Sequence, residues 1–223
     1  MKKRIIRIAS LALVILGMVS CSDEQETALR PQDAKSIPMT FLVSHPGQAS
    51  RATETKFEKN DKIGLYVADA KAQLEIGGNL VNNEALTYDG SKWAAARALY
   101  WDKGTYTAYA YYPYIENVSS ITDQSFSVAL DQRVAKTATS LGGYEASDLL
   151  FATSKNISAS ASPINLTFKH IMSKLKIRLV KGEDFEGEMP ATADVYIHNT
   201  VPTATVDLQA GVATRYVKGT RHT

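Results

Sequence analysis

Apolar and polar residues alternate along much of this chain with a period of two, the spacing that turns one side of a β-strand to a core and the other to solvent. Ile37, Met39, Phe41 and Val43 share one side of the first such run, residues 37–43. Ile63, Leu65 and Val67 do the same after the turn-prone pair Asn60-Asp61. Residues 69–84 are polar, broken by Gly77-Gly78, and predict a loop. Residues 85–88 predict a short strand, Asp89-Gly90 a hairpin turn, and Trp93 the start of the return. In residues 105–112, Tyr106, Ala108, Ala110 and Tyr112 face one way, and Thr107, Tyr109 and Tyr111 the other. Aromatics on both sides predict a central strand covered on both faces. Pro113 has no backbone N–H and should end its pairing.

Further along, residues 125–130 predict a strand, 131–146 a long loop and 147–152 a short apolar segment. The longest alternating run is 164–180. Leu166, Phe168, His170 and Met172 hold one phase, and Leu175, Ile177 and Leu179 the opposite one. Such a phase change predicts a bulge or bend near Met172-Ser173-Lys174, where a strand can pass from one sheet to another. Residues 195–198 and 201–208 read as strands, the second closed by a turn at Gly211. About eleven short strands and no sustained helical period predict an all-β sandwich.

The N-terminus departs from this pattern. Lys2, Lys3, Arg4 and Arg7 precede the apolar run of residues 8–19. Twelve helical residues rise only about 18 Å, too short for a hydrocarbon core of about 30 Å. Residues 1–20 therefore read as a signal peptide. Its end, Leu16-Gly17-Met18-Val19-Ser20-Cys21, resembles a bacterial lipobox, with Met18 where leucine is usual. Cys21 is then the expected lipidation site, and several acyl chains on one cysteine hold a protein firmly to a bilayer. Ser22-Asp23-Glu24 resembles a surface-export signal of Gram-negative lipoproteins, which predicts a surface-exposed protein of the outer membrane. Residues 21–36 are polar and without period, the expected tether.

Charge and candidate chemistry narrow the picture further. Loss of residues 1–20 removes four basic residues and no acidic one, so 25 basic against 23 acidic becomes 21 against 23. That balance offers no basic surface for nucleic acid. With the single cysteine acylated, no disulfide forms and packing alone must supply the core. No glycine loop for phosphate, zinc motif, paired cysteines or nucleophile elbow is present, and no carboxylate pair stands out as acid and base. The acids of residues 181–190 are not spaced as in an EF-hand. Histidines 45, 170, 198 and 222 are scattered, and His170 on its apolar phase reads as a hydrogen-bonded core histidine rather than a metal ligand. The sequence thus predicts no enzyme, cofactor or metal. The tyrosine stripe of residues 106–112 reads as packing, with a glycan-stacking platform on Tyr109 and Tyr111 the other reading. Arg51 sits in an exposed, turn-rich loop open to a trypsin-like protease.

Several stretches together resemble the fimbrillin family, the Mfa-like and FimA-like pilins and adhesins of Gram-negative anaerobes. They are Arg51-Ala52-Thr53 with Phe57-Glu58, residues 61–67 (DKIGLYV), Tyr100-Trp101 with residues 104–114 (GTYTAYAYYPY), residues 147–152 (SDLLFA) and residues 166–175 (LTFKHIMSKL). The resemblance implies a transthyretin-like β-sandwich over residues 37–210, with residues 211–223 as a tail or the start of a further domain. It also implies a role in cell adhesion as a fimbrial subunit. In polymerising members a protease removes the lipidated leader and first strand, and the vacated groove accepts a strand from another subunit. Carried onto this sequence, Cys21 holds the lipid, Arg51 is the processing site, and residues 37–43 are the strand that leaves. The competing reading is a lipid-anchored glycan binder or adhesin that does not polymerise.

Overall fold

The computed structural model describes residues 37–47, 56–193, 195, 196, 198 and 200–215. The expected signal peptide, Cys21, the tether and Arg51 lie outside them. In chain order the elements are β1 (Phe41–Ser44), β2 (Lys62–Asp69), β3 (Val81–Tyr88), β4 (Trp93–Ala95), β5 (Thr105–Tyr112) and β6 (Gln124–Ser127). They continue with α1 (Gly143–Ser147), β7 (Leu150–Ser158), β8 (Ile164–Thr167), β9 (Lys169–His170), β10 (Thr203–Asp207) and β11 (Val212–Arg215). The fold is nearly all-β, as the alternation predicts.

A six-stranded antiparallel sheet, ordered β4-β3-β2-β5-β7-β9, is the middle layer. Its central strands bury both faces, which requires apolar residues in both phases. Ile63, Leu65 and Val67 of β2 and Tyr106, Ala108, Ala110 and Tyr112 of β5 face one core, with Leu150, Ala152 and Trp101. That core is covered by β8 (Ile164, Leu166) and by side chains from residues 37–43. Tyr66 and Ala68 of β2, and Tyr109 and Tyr111 of β5, face a second core with Leu149 and Phe151. Phe126, Val206 and Leu208 cover it from a three-stranded sheet, β11-β10-β6. Burying a Leu, Ile or Phe side chain contributes about 1.5–3 kcal/mol, so each cover strand matters.

Turn chemistry acts where the sequence places it. Asp89 Oδ1 accepts from the backbone N–H of Ser91 and Lys92, both at 2.8 Å, while Gly90 takes a φ of 103° that a side chain disfavours. Gly211, at φ 66°, closes the β10–β11 turn against the ring of Phe151, where a Cβ would collide.

Several expectations are corrected. β3 begins at Val81, inside the expected loop, and α1 lies in the expected loop 131–146, being too short for a 3.6-residue period to show. The run 164–180 yields only β8 and β9, and the change of partner falls at Phe168 rather than at residues 172–174. The register explains why. Leu150 pairs with His170 in an antiparallel ladder, and Ile171 N–H still donates to Leu149 O at 3.0 Å. Residues beyond 171 run past the start of β7, where α1 stands instead of a strand. Residues 174–180 therefore form no ladder, and neither do Val195, Tyr196 or His198.

Candidate functional site

The first alternating run, residues 37–44, is a slat set between two backbones. At its start, Ile37 O accepts from Trp101 N–H at 3.0 Å and Met39 N–H donates to Leu99 O at 2.8 Å, with Pro38 bridging Tyr100. Then β1 turns its hydrogen bonds to β8, in parallel register from Phe41 opposite Ile164 to Ser44 opposite Thr167. Thr40 O accepts from Ile164 N–H at 2.8 Å and Ser44 O from Phe168 N–H at 3.0 Å. Ile37, Met39, Phe41 and Val43 point into the first core, while Pro38, Thr40, Leu42 and Ser44 are exposed. The period of two thus divides the slat into an inner apolar edge and an outer edge that touches no core.

The slat ends at His45. Its ring meets Phe57 edge-on with centroids 4.8 Å apart, and lies 6.0 Å from the ring of His170. Phe57 joins this end to the core through further edge contacts with Trp93, Tyr112 and Phe168, at 5.0–5.6 Å. His170 is bonded through Nδ1 to Asp148 Oδ1 at 2.7 Å. Beneath His45 lies a small polar cavity of about 30 Å³, enough for about one water. There Lys136 Nζ sits 2.5 Å from Asp61 Oδ1 and 3.2 Å from Glu58 Oε2, and Asp61 Oδ2 accepts from Glu58 N–H at 2.7 Å. Burial works against the Lys136 charge, but the bonds to Asp61 and Glu58 outweigh it and raise its pKa. Burial, and then the neighbouring Asp61, push the Tyr112 hydroxyl up as well. His45 is shifted down, by burial first and by His170 second, against the opposing pull of Asp148 and Asp61. A buried, paired Asp–Lys couple holds this corner together; nothing in it resembles a nucleophile with its base.

The sequence's other candidates fall elsewhere. Tyr109 and Tyr111 are buried in the second core, and Tyr111 donates its hydroxyl proton to Asn83 Oδ1 at 2.5 Å. They are packing, not an exposed platform. His170 is not a core residue: its side chain is 35% exposed at the sheet edge, hydrogen-bonded as expected but to Asp148. Among the described residues no three His, Cys, Asp or Glu side chains are grouped to hold a metal ion. The Asp61–Lys136 pair escaped sequence reasoning because its members stand 75 residues apart and only the turn Asn60-Asp61 was visible.

An antiparallel sheet covered on both faces, with its first core closed by residues 37–44, defines a layered, nearly all-β class of protein. The family model described as fimbrillin-like matches residues 50–222, and the chain belongs to that family. Among its relatives is a Bacteroides ovatus protein provisionally named fimbrium tip subunit Fim1C, 30% identical over 129 residues. The match takes in 54% of this chain and 23% of that protein, so the chain spans about a quarter of the relative's length. A crystal structure of a provisionally assigned cell adhesion protein from B. ovatus shares the fold, with a TM-score of 0.52 at 19% identity over 83% of this chain and 69% of that one. A similarly assigned protein from Bacteroides uniformis has a TM-score of 0.49 at 16% identity, over 81% and 67% of the two chains.

Proposed function

We propose that this chain is a surface-exposed, lipid-anchored subunit of a fimbrium, acting in cell adhesion, and that residues 37–44 are a removable plug. Residues 1–20 serve as the signal peptide, Cys21 carries the acyl chains in the outer membrane, and residues 21–36 tether a transthyretin-like sandwich over residues 37–210. The observation that supports this reading is the slat itself. It fills the first core with four alternate side chains, its outer edge is free of the core, and its tie to β2 runs through Arg51. A protease that cuts after Arg51 leaves β1 attached only by non-covalent contacts. Its departure would remove Met39 and the flanking Ile37, Phe41 and Val43 from the first core and would free backbone groups of residues 99–101 and β8. Uncovered apolar surface costs about 25 cal/mol per Å², and unpaired strand edges invite another strand. The partner is then a strand of another fimbrial subunit with apolar residues at alternate positions. No reaction is assigned. A glycan-binding lipoprotein that never polymerises would need a platform other than Tyr109 and Tyr111, which are buried.

Limited digestion of the mature protein with an arginine-specific protease, followed by intact mass and size-exclusion chromatography, tests this reading. The expected result is one clean cut after Arg51 and loss of the leader fragment. Resistance at Arg51, or a leader that stays bound in the presence of an excess of competing strand, overturns it.

A further inference from the structure

A second hollow, of about 470 Å³, opens at the other end of β2 from the His45 corner. That volume falls within the range of about 300–1,000 Å³ usual for small-ligand sites. Asp69, the last residue of β2, and Tyr106, near the start of β5, line one part of it, and the loop of residues 72–80 lines another. The loop is fixed before any ligand arrives. Leu74 is buried in the second core, and its N–H donates to Gln209 Oε1 at 3.1 Å. Asn79 Nδ2 donates to Glu75 O at 2.7 Å, and Asn79 N–H donates to Asn82 Oδ1 at 2.9 Å. A rim held in this way loses little further freedom on binding.

Three carboxylates line the hollow, those of Asp69, Glu75 and Asp102, and among the described residues no lysine, arginine or histidine does. Backbone groups aim two of them. Asp69 Oδ1 accepts from Lys71 N–H and Asp102 Oδ1 from Lys103 N–H, both at 2.8 Å. Burial, and then the charges of Asp102 and Asp69, push the Tyr106 hydroxyl up, as carboxylates standing close to it would. Among the described residues no three such groups gather tightly enough to hold a metal ion. Separated acceptors suit a ligand with several separated donors, and hydroxyl groups are donors of that kind. Gln73 adds an amide that both donates and accepts. Leu80 and the ring of Tyr106, which packs on Trp101 at 5.6 Å, supply apolar wall for the C–H face of a sugar ring. Lys71 and Lys103 stand next to lining residues in sequence and offset two of the three negative charges, which favours a neutral ligand over a polycation.

We propose that this hollow is the binding site for a neutral saccharide, whose hydroxyls donate to Asp69, Glu75 and Asp102 while one ring face rests on Leu80 and Tyr106. None of residues 37–44 lines it, so the inference does not depend on the release of those residues. It assigns the sugar a place other than Tyr109 and Tyr111, which are buried.

The test uses the full mature chain, uncut, in wild-type form and as Glu75→Gln and Gly77→Phe. The probes are mannotriose, cellotriose and tri-N-acetylchitotriose, with oligolysine as the cationic control. Binding is read by saturation-transfer NMR and titration calorimetry. The wild type should bind at least one of the sugars, with an affinity that added salt leaves unchanged. Glu75→Gln keeps the shape of the side chain but removes a charged acceptor, and should weaken binding by about tenfold. Gly77 lines the hollow, and a Cβ placed there meets nothing within 4 Å. Gly77→Phe should therefore fold as wild type does, with the same midpoint in urea, and should abolish binding. A wild type that binds none of the sugars, or that binds oligolysine alone, overturns the assignment. Sugar binding that is unchanged in either variant overturns it as well.

Discussion

The central sheet has two covers, and they differ in how they are tied to the chain. The β11-β10-β6 cover combines a local hairpin, β10–β11, with β6 from much earlier in the chain. β10 and β11 are joined by the tight turn at Gly211, whose N–H donates to Asp207 O at 2.8 Å, and β10 is registered on β6 over four further pairs. The β1–β8 cover is assembled from distant parts, with Phe41 opposite Ile164 and no hairpin between them. Both covers bury Leu, Val or Phe side chains against the same middle layer. The difference teaches that burial alone does not make an element permanent. On the proposed reading, β1 differs in that its only covalent tie to the rest of the fold is the connection to β2, so a cut there would release it.

Substitutions should separate the two covers, and the largest effect should come from the permanent one. Phe151 is 1% exposed beneath Gly211. Phe151→Ala should destabilise the chain by about 3–5 kcal/mol, measured by urea unfolding, to the same extent before and after cleavage at Arg51. Met39→Ala, on the slat, should cost about 2–3 kcal/mol in the uncut chain and nothing once the leader has been lost. An equal cost in both states would mean that residues 37–44 never leave. The smallest effect should come from pH. Burial and His170 hold the His45 imidazole below its usual 6.5, so the folded chain favours the neutral ring. That contribution is complete above the unfolded value and is lost as pH falls below it. Replacing His45 by Phe should therefore flatten the fall in unfolding midpoint between about pH 7 and 5, with the uncut chain the more sensitive.

Much of this architecture is legible in the alternation itself. The two aromatic faces of residues 105–112 foretell a strand buried on both sides, and Asp89-Gly90 foretells the β3–β4 hairpin. The inward set Ile37, Met39, Phe41 and Val43 can be read directly. What the pattern does not show is whether a neighbour exists to pair with. Residues 174–180 alternate as well as residues 164–170, yet only the latter have β1 and β7 beside them. The Asp61–Lys136 pair, and the aromatic joint of Phe57 with His45, Trp93 and Tyr112, depend on distant chain segments meeting, which no local period reports. The likeness of residues 166–175 to fimbrillin sequences supplies the family, but not the point at which the strand changes sheets.

The most direct measurement is strand exchange in solution. A fluorescent peptide with the sequence of residues 37–45 is added to the mature chain before and after cleavage at Arg51, and uptake is followed by anisotropy. If residues 37–44 are a removable plug, the cut chain takes up about one peptide and releases its own leader, while the uncut chain takes up none. A cut chain that keeps its leader and ignores the peptide would mean that the slat is a permanent part of the fold.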